Sequence, residues 1–244
     1  MTQSRTRIRI RFTKQEELRW ISHRDLARLW ERLLRRAEVL LAFSQGFHPK
    51  PKISFPSALA LGVEALDEVV EMEVLGAVSL AELQTRLEEQ LPPGMKLLSL
   101  EFPATKARFL GSTFRIELPQ DLVESTRDRI AQVLQSEIIE VERDAKPVRC
   151  PVRQQLFELR LEGSDFYFTL PSVEVGTALR PSELLQVLGL EMLLESGSIL
   201  QRVQVHLAED SGIPGLPSAG QPLSHQPECE TSSSLPIGNT QEQD

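Results

Sequence analysis

Arg7-Ile8-Arg9-Ile10-Arg11-Phe12 opens the chain with strict alternation: three apolar side chains point one way and three arginines the other. A period of two is the signature of a half-buried strand. The next stretch, Ser22 to Ala37, changes period. Leu26, Leu29, Trp30, Leu33, Leu34 and Ala37 recur at helical spacing, and Ser22 with Asp25 three residues later resembles a capping box. A basic strand followed by an amphipathic helix sets the pattern for the rest of the chain.

Val39-Leu40-Leu41-Ala42-Phe43 reads as a second strand leading into a loop at 44–52, with an extended segment resuming at 53–55. Residues 68–75 form a third strand, Ser79 caps a helix running to about Gln90, and 95–102 form a fourth strand. The order β-α-β-β-α-β is the ferredoxin-like arrangement. It recurs: a strand at 114–118, a helix at 121–136, strands near 138–142, 155–162 and 165–170, a helix opening at Arg180-Pro181-Ser182-Glu183 with Ser182 as N-cap, and a strand at 199–207. The sequence therefore predicts an α+β protein of tandem duplicated ferredoxin-like domains, at 1–104 and 112–208. Residues 209–244, rich in Gly, Pro, Ser, Gln and Glu without hydrophobic period, read as a disordered tail.

The chain of 244 residues carries a net charge of −8, but unevenly. Residues 1–56 hold 13 Lys/Arg against 5 Asp/Glu, a net +8, and the remainder is net −16. Such asymmetry points to a polyanionic partner. With two cysteines, Cys150 and Cys229, neither a disulfide framework nor a thiolate metal site is expected, and no three-cysteine set is present for an iron–sulfur cluster. No metal or other cofactor is expected. No apolar run reaches the roughly 20 residues that span a bilayer, and the N-terminus lacks a signal-peptide core, so a cytoplasmic location and no membrane partner are expected.

Two segments concentrate the candidate functional residues. At 100° per residue, Arg24, Arg28, Arg32, Arg35 and Arg36 fall in a sector of about 120°, opposite the apolar face. Guanidinium groups match phosphate bidentately, so this face could track a nucleic-acid backbone; the plain alternative is a solvated helix surface. The loop Ser44-Gln45-Gly46-Phe47-His48-Pro49-Lys50-Pro51-Lys52 combines a flexible glycine, stiffening prolines, an aromatic side chain suited to base stacking, and two lysines. The plain alternative there is a rigid inter-strand loop with Phe47 in the core. Arg9 and Arg11 are expected to be partly neutralised by Glu71 and Glu73, which share a face of the third strand. His23 and His48 would be the acid–base pair of a metal-independent endoribonuclease if the fold brought them together. No nucleotide-binding, hydrolase or zinc-protease motif is present, and the chain reads as non-catalytic.

The run Arg9-Ile10-Arg11-Phe12, Leu18-Arg19-Trp20-Ile21-Ser22-His23-Arg24-Asp25-Leu26, Glu31-Arg32 and Arg35-Arg36-Ala37 resembles the radical SAM-linked family DUF2344. The resemblance continues through Phe43-Ser44-Gln45-Gly46-Phe47-His48-Pro49, Lys52-Ile53-Ser54-Phe55 and Leu61-Gly62-Val63-Glu64, with weaker echoes at Arg153 and Arg180-Pro181. Pro151 stands where members commonly carry Asp. The resemblance implies an accessory role beside a radical SAM protein in RNA metabolism or modification. Three readings follow from it and from the residues: RNA binding (tRNA or rRNA) that positions the RNA for a partner enzyme, endoribonuclease activity, or protein–protein docking on the radical SAM protein. The oligomeric state is not legible.

Overall fold

A computed structural model describes residues 4–173 and 178–208. In chain order the elements are β1 (Arg5–Lys14), a 3-10 turn (Glu16–Trp20), α1 (His23–Arg36), β2 (Ile53–Ser54), β3 (Glu64–Leu75), α2 (Leu80–Glu88) and β4 (Leu97–Glu101). There follow β5 (Phe109–Glu117), α3 (Val123–Gln135), β6 (Ile138–Arg143), β7 (Lys146–Pro151), α4 (Val152–Gln155), β8 (Glu158–Glu162), β9 (Asp165–Pro171), α5 (Pro181–Val187), α6 (Glu191–Glu195) and β10 (Gln201–Leu207). The fold is mixed α+β. The tail beyond residue 208, read above as disordered, lies outside the described residues. No described helix is long and apolar enough to cross a membrane.

One eight-stranded sheet runs β4-β1-β3-β10-β5-β9-β8, with β2 also on β3, and β6-β7 form a separate hairpin. All pairings in the large sheet are antiparallel except β3 with β10. β10 joins β3 near its start, at Glu64 and Ala65, while β2 joins the same edge near its end, at Glu71 and Met72. A single strand edge thus serves two partners, and this makes the sheet continuous.

The period-two pattern of β1 works out as expected. Ile8, Ile10 and Phe12 are fully buried with Val70, Met72 and Val74 of β3 beneath Trp30, Leu33 and Leu34 of α1. Phe12 and Trp30 meet edge to face at 4.9 Å. A second core gathers around Phe114, Phe166 and Phe168, and it takes in Leu59, Val63 and Ala65 from the first half. The hydrophobic cores therefore interlock across the strand that bridges them.

The strand read over 155–162 begins only at Glu158, after the short helix α4, and local readings fail outright in three places. Residues 39–43 are not a regular strand; they touch β3 and residue 51 only through isolated bridges at Leu41 and Phe43. The ladder positions beside them are taken by Lys52 and β2, so the edge strand is split by the 43–51 excursion. β7 was not anticipated, because Pro147 and Pro151 argue against a strand; both are tolerated on this two-stranded edge. Its turn places Asp144 and Ala145 at positive φ, 52° and 58°, as a type I′ hairpin requires. Finally, Arg180 rather than Ser182 occupies the N-cap of α5, since Pro181 suits the first helical position and Glu183 accepts from the Arg180 backbone N–H at 2.8 Å.

Candidate nucleic-acid interface

Capping and burial together orient α1. The Ser22 hydroxyl accepts from the Asp25 backbone N–H at 3.2 Å and donates to the Asp25 carboxylate at 2.7 Å. That bond holds the Asp25 carboxyl below the usual carboxylate range, and Arg28 and Arg24 pull in the same direction. With Leu26, Trp30, Leu33 and Leu34 buried, the opposite face must look outward. Arg24, Arg28, Arg32, Arg35 and Arg36 are all exposed. Arg28 has one loose ion pair, with Asp25 at 3.4 Å. The other four make no ion pair among the described residues.

The strand arginines fare differently. Arg9, 3% exposed, pairs with Glu71 at 2.8 Å and Glu101 at 3.2 Å, and donates to the Thr105 carbonyl. Segment 105–107 covers that pair, and the Ala107 N–H also donates to Glu71. Arg11 reaches Asp67 at 2.6 Å rather than Glu71 or Glu73, because Val69 is its partner in register. Arg5, Arg7 and Lys52 converge on Glu73, which holds its proton less tightly than usual, chiefly through the Lys52 bond and then Arg7. Much of the positive charge in residues 1–56 is therefore spent inside the molecule. Within residues 1–56 the outward cation set is chiefly the α1 face with Lys50.

The 44–52 loop stands off the sheet. Its base is closed by Ser44 N–H to the Lys50 carbonyl at 2.9 Å, Lys50 N–H to the Ser44 hydroxyl at 3.0 Å, and Lys52 N–H to the Ala42 carbonyl at 2.9 Å. Gly46 sits at φ 128°, a conformation that side chains disfavour, and turns the tip. Gln45, Phe47, His48 and Lys50 are exposed, and Phe47 is completely so. The alternative in which Phe47 plugs the core does not hold. His23 rests edge-on against Phe55 at 5.1 Å, while His48 is at the loop tip. No contact joins the two histidines among the described residues. Arg153, on α4 directly after Pro151, is exposed and belongs to neither segment.

Between α1 and the 39–43 segment lies a groove of about 820 Å³. Arg28, Arg32 and Arg35, interleaved with Glu31 and Glu38, line one side; Leu40, Phe43 and Pro51 contribute the other. Leu40 is 70% exposed and Phe43 48%. The sequence reading placed these two in a strand and missed their part in the groove. Only the split of the edge strand leaves them facing out, and no local signal reports that. Exposed guanidinium groups beside exposed apolar and aromatic side chains suit a single nucleic-acid strand, with phosphates on one side and bases on the other.

A family model described as "Uncharacterized protein conserved in bacteria (DUF2344)" matches residues 7–181. That span contains the whole groove and loop. No curated protein matches the chain. Among solved structures, an unknown protein from Galdieria sulphuraria aligns at 11% identity over 84% of this chain and 99% of that one, with a TM-score of 0.27. A putative glycine cleavage system transcriptional repressor aligns at 10% identity over 80% and 96%, with a TM-score of 0.24. Neither similarity is close enough to bear on fold or function.

Proposed function

The chain belongs to the DUF2344 family of bacterial proteins, and from that premise we propose that it is a cytoplasmic, non-catalytic RNA-binding module that positions RNA for a partner radical SAM enzyme. The observation that carries the RNA-binding reading is the α1 face: five exposed arginines, only one of them ion-paired among the described residues, three of which (Arg28, Arg32 and Arg35) line a groove that also takes in the exposed Phe43. In this reading Arg24, Arg28, Arg32 and Arg36 hold phosphates. Ser44, Gln45, Gly46, Phe47, His48, Lys50 and Lys52 shape the loop, with Phe47 stacking on a base and Lys52 bracing the loop through Glu73. We further propose that the halves are tandem ferredoxin-like repeats. In support, β2 and the order β4-β1-β3 in the first half have a counterpart in the order β10-β5-β9-β8 in the second, where the β6–β7 hairpin is an insertion.

The test is a salt titration of binding to fluorescein-labelled single-stranded RNA, read by anisotropy. Each phosphate contact contributes roughly 0.7 to the log–log salt slope on a single strand, so Arg28→Gln/Arg32→Gln/Arg36→Gln should lower the slope by about 2. A slope equal to that of the unsubstituted chain would remove α1 from the interface. Co-purification of a radical SAM protein that survives nuclease, with no RNA affinity, would instead make the groove a protein-docking surface.

A further inference from the structure

A second recess lies where the two halves meet. It has a volume of about 550 Å³ and lies between the Arg19–Trp20 turn, residues 60–63, the start of α5 and the segment leading into β10. Trp20, Leu61, Val63, Leu194 and Leu200 supply its apolar walls. Trp20 is 55% exposed although the fold holds it in place. The Gly62 N–H donates to the Arg19 carbonyl at 2.9 Å, and Gly62 at φ 81° lies so close to the indole that an added Cβ would come within 3.1 Å of the ring. The Arg19 guanidinium sits over the indole at 5.1 Å and is tied to Glu64 at 3.6 Å.

Across the seam, Arg180 keeps its charge available. Among the described residues its one ion-pair partner is Glu183, at 3.9 Å. That carboxylate already accepts two bonds from Arg143, at 2.8 and 2.7 Å, and one from the Arg180 backbone. An exposed indole in an apolar recess, with a loosely held guanidinium at its edge, matches a ligand with a flat apolar body and one anionic group. Cavities of this size lined by apolar side chains with a few fixed polar groups are the usual form of small-molecule sites.

We infer that the seam recess binds a nucleoside monophosphate unit, its base against Trp20 and Leu61 and its phosphate on Arg180, either as a free nucleotide or as the 5′ end of an RNA strand. The strand-end source rests on the RNA-binding reading above; the free-nucleotide source does not. The site shares no residue with the α1 groove.

The chain has two tryptophans, and Trp30 is wholly buried, so a ligand-dependent change in emission reports Trp20. Titration of the full chain with adenosine 5′-monophosphate should give saturable quenching. Arg180→Gln should weaken it at least about tenfold by removing a charge-assisted contact, and adenosine without phosphate should bind comparably weakly. Arg28→Gln/Arg32→Gln should leave this titration unchanged even where it abolishes RNA binding, which separates the two sites. A 5′-phosphorylated trinucleotide that competes while its 5′-hydroxyl counterpart does not would assign the source as a strand end; failure of both to compete would assign it as a free nucleotide. Absence of saturable quenching up to about 5 mM nucleotide, a range covering any affinity of functional use, would overturn the inference. So would Arg180→Gln binding as tightly as the unsubstituted chain, or Trp20 emission that follows protein concentration alone, which would make the seam a self-association surface.

Discussion

Glu68→Gln should be the most destabilising single substitution at the junction of β3 and β10, and the reason lies in how three charges share one buried space. Glu68 and Arg202 are each 2% exposed and joined by an ion pair, and Arg202 also donates to the Ser57 hydroxyl at 2.9 Å and the Ala58 carbonyl at 3.3 Å. Lys14, 1% exposed, donates to the Arg19 carbonyl at 3.3 Å. Burial lowers the Lys14 pKa, with Glu68 opposing that shift and Arg202 adding to it; burial raises that of Glu68, with Arg202 pulling it back. Removing the carboxylate leaves two buried cations and no anion. Breaking a buried pair costs about 3–5 kcal/mol, a large share of the roughly 5–15 kcal/mol that holds a domain together. For a chain of this size that is a fall of about 6–20 °C in Tm. Arg202→Met should cost less, because Lys14 and Glu68 then remain as a neutral pair.

The pH dependence supplies a second readout. A guanidinium does not give up its proton in proteins, so in Glu68→Gln the Lys14 ammonium, whose pKa burial already lowers, is the group that yields. Its folded pKa then lies below its unfolded value, and between the two the unfolded chain binds the extra proton. Stability of the variant should therefore rise with pH towards the ordinary lysine range. Urea unfolding followed by circular dichroism at about pH 7 and about pH 9 measures both effects. If Glu68→Gln lies within about 1 kcal/mol of the unsubstituted chain, or Arg202→Met proves the costlier of the two, the three-charge account fails.

Three further outcomes are expected. Phe47→Ala should leave the unfolding free energy within about 0.5 kcal/mol, since the ring touches solvent only, yet weaken RNA binding by about 1–3 kcal/mol for the lost stack; urea melts and anisotropy read the two separately. Glu73 has its pKa held down by Lys52 and Arg7, so its stabilisation is present above the ordinary carboxylate range and lost as pH falls through the lower folded value. Glu73→Gln should flatten that acid limb in a pH series of melts. Ser22→Ala removes the acceptor for the Asp25 N–H and should cost about 1 kcal/mol, seen as a lower urea midpoint with an unchanged slope.

What could be read without coordinates was whatever depends on near neighbours in the chain. The alternation of Arg7 to Phe12 implied a strand with one apolar face, and the 100° geometry of α1 set five arginines opposite Leu26, Trp30, Leu33 and Leu34; both are properties of a few successive dihedral angles. The short loop 44–52 was likewise legible from its Gly and Pro content. Partnerships between distant residues were not. The pairing of Arg9 with Glu71 followed from the strand pattern, but that Glu101 joins it, that Arg11 turns to Asp67, and that Arg32 makes no ion pair among the described residues depend on strand register and packing. That Leu40 and Phe43 face a groove depends on Lys52 and β2 taking the ladder positions beside them. The seam recess and the Lys14–Glu68–Arg202 cluster exist only because β10 returns, after more than a hundred residues, to pair in parallel with the start of β3. Local periodicity is encoded residue by residue, whereas register and strand return are set by the packing of the whole sheet, so the charge the molecule presents was decided by tertiary structure.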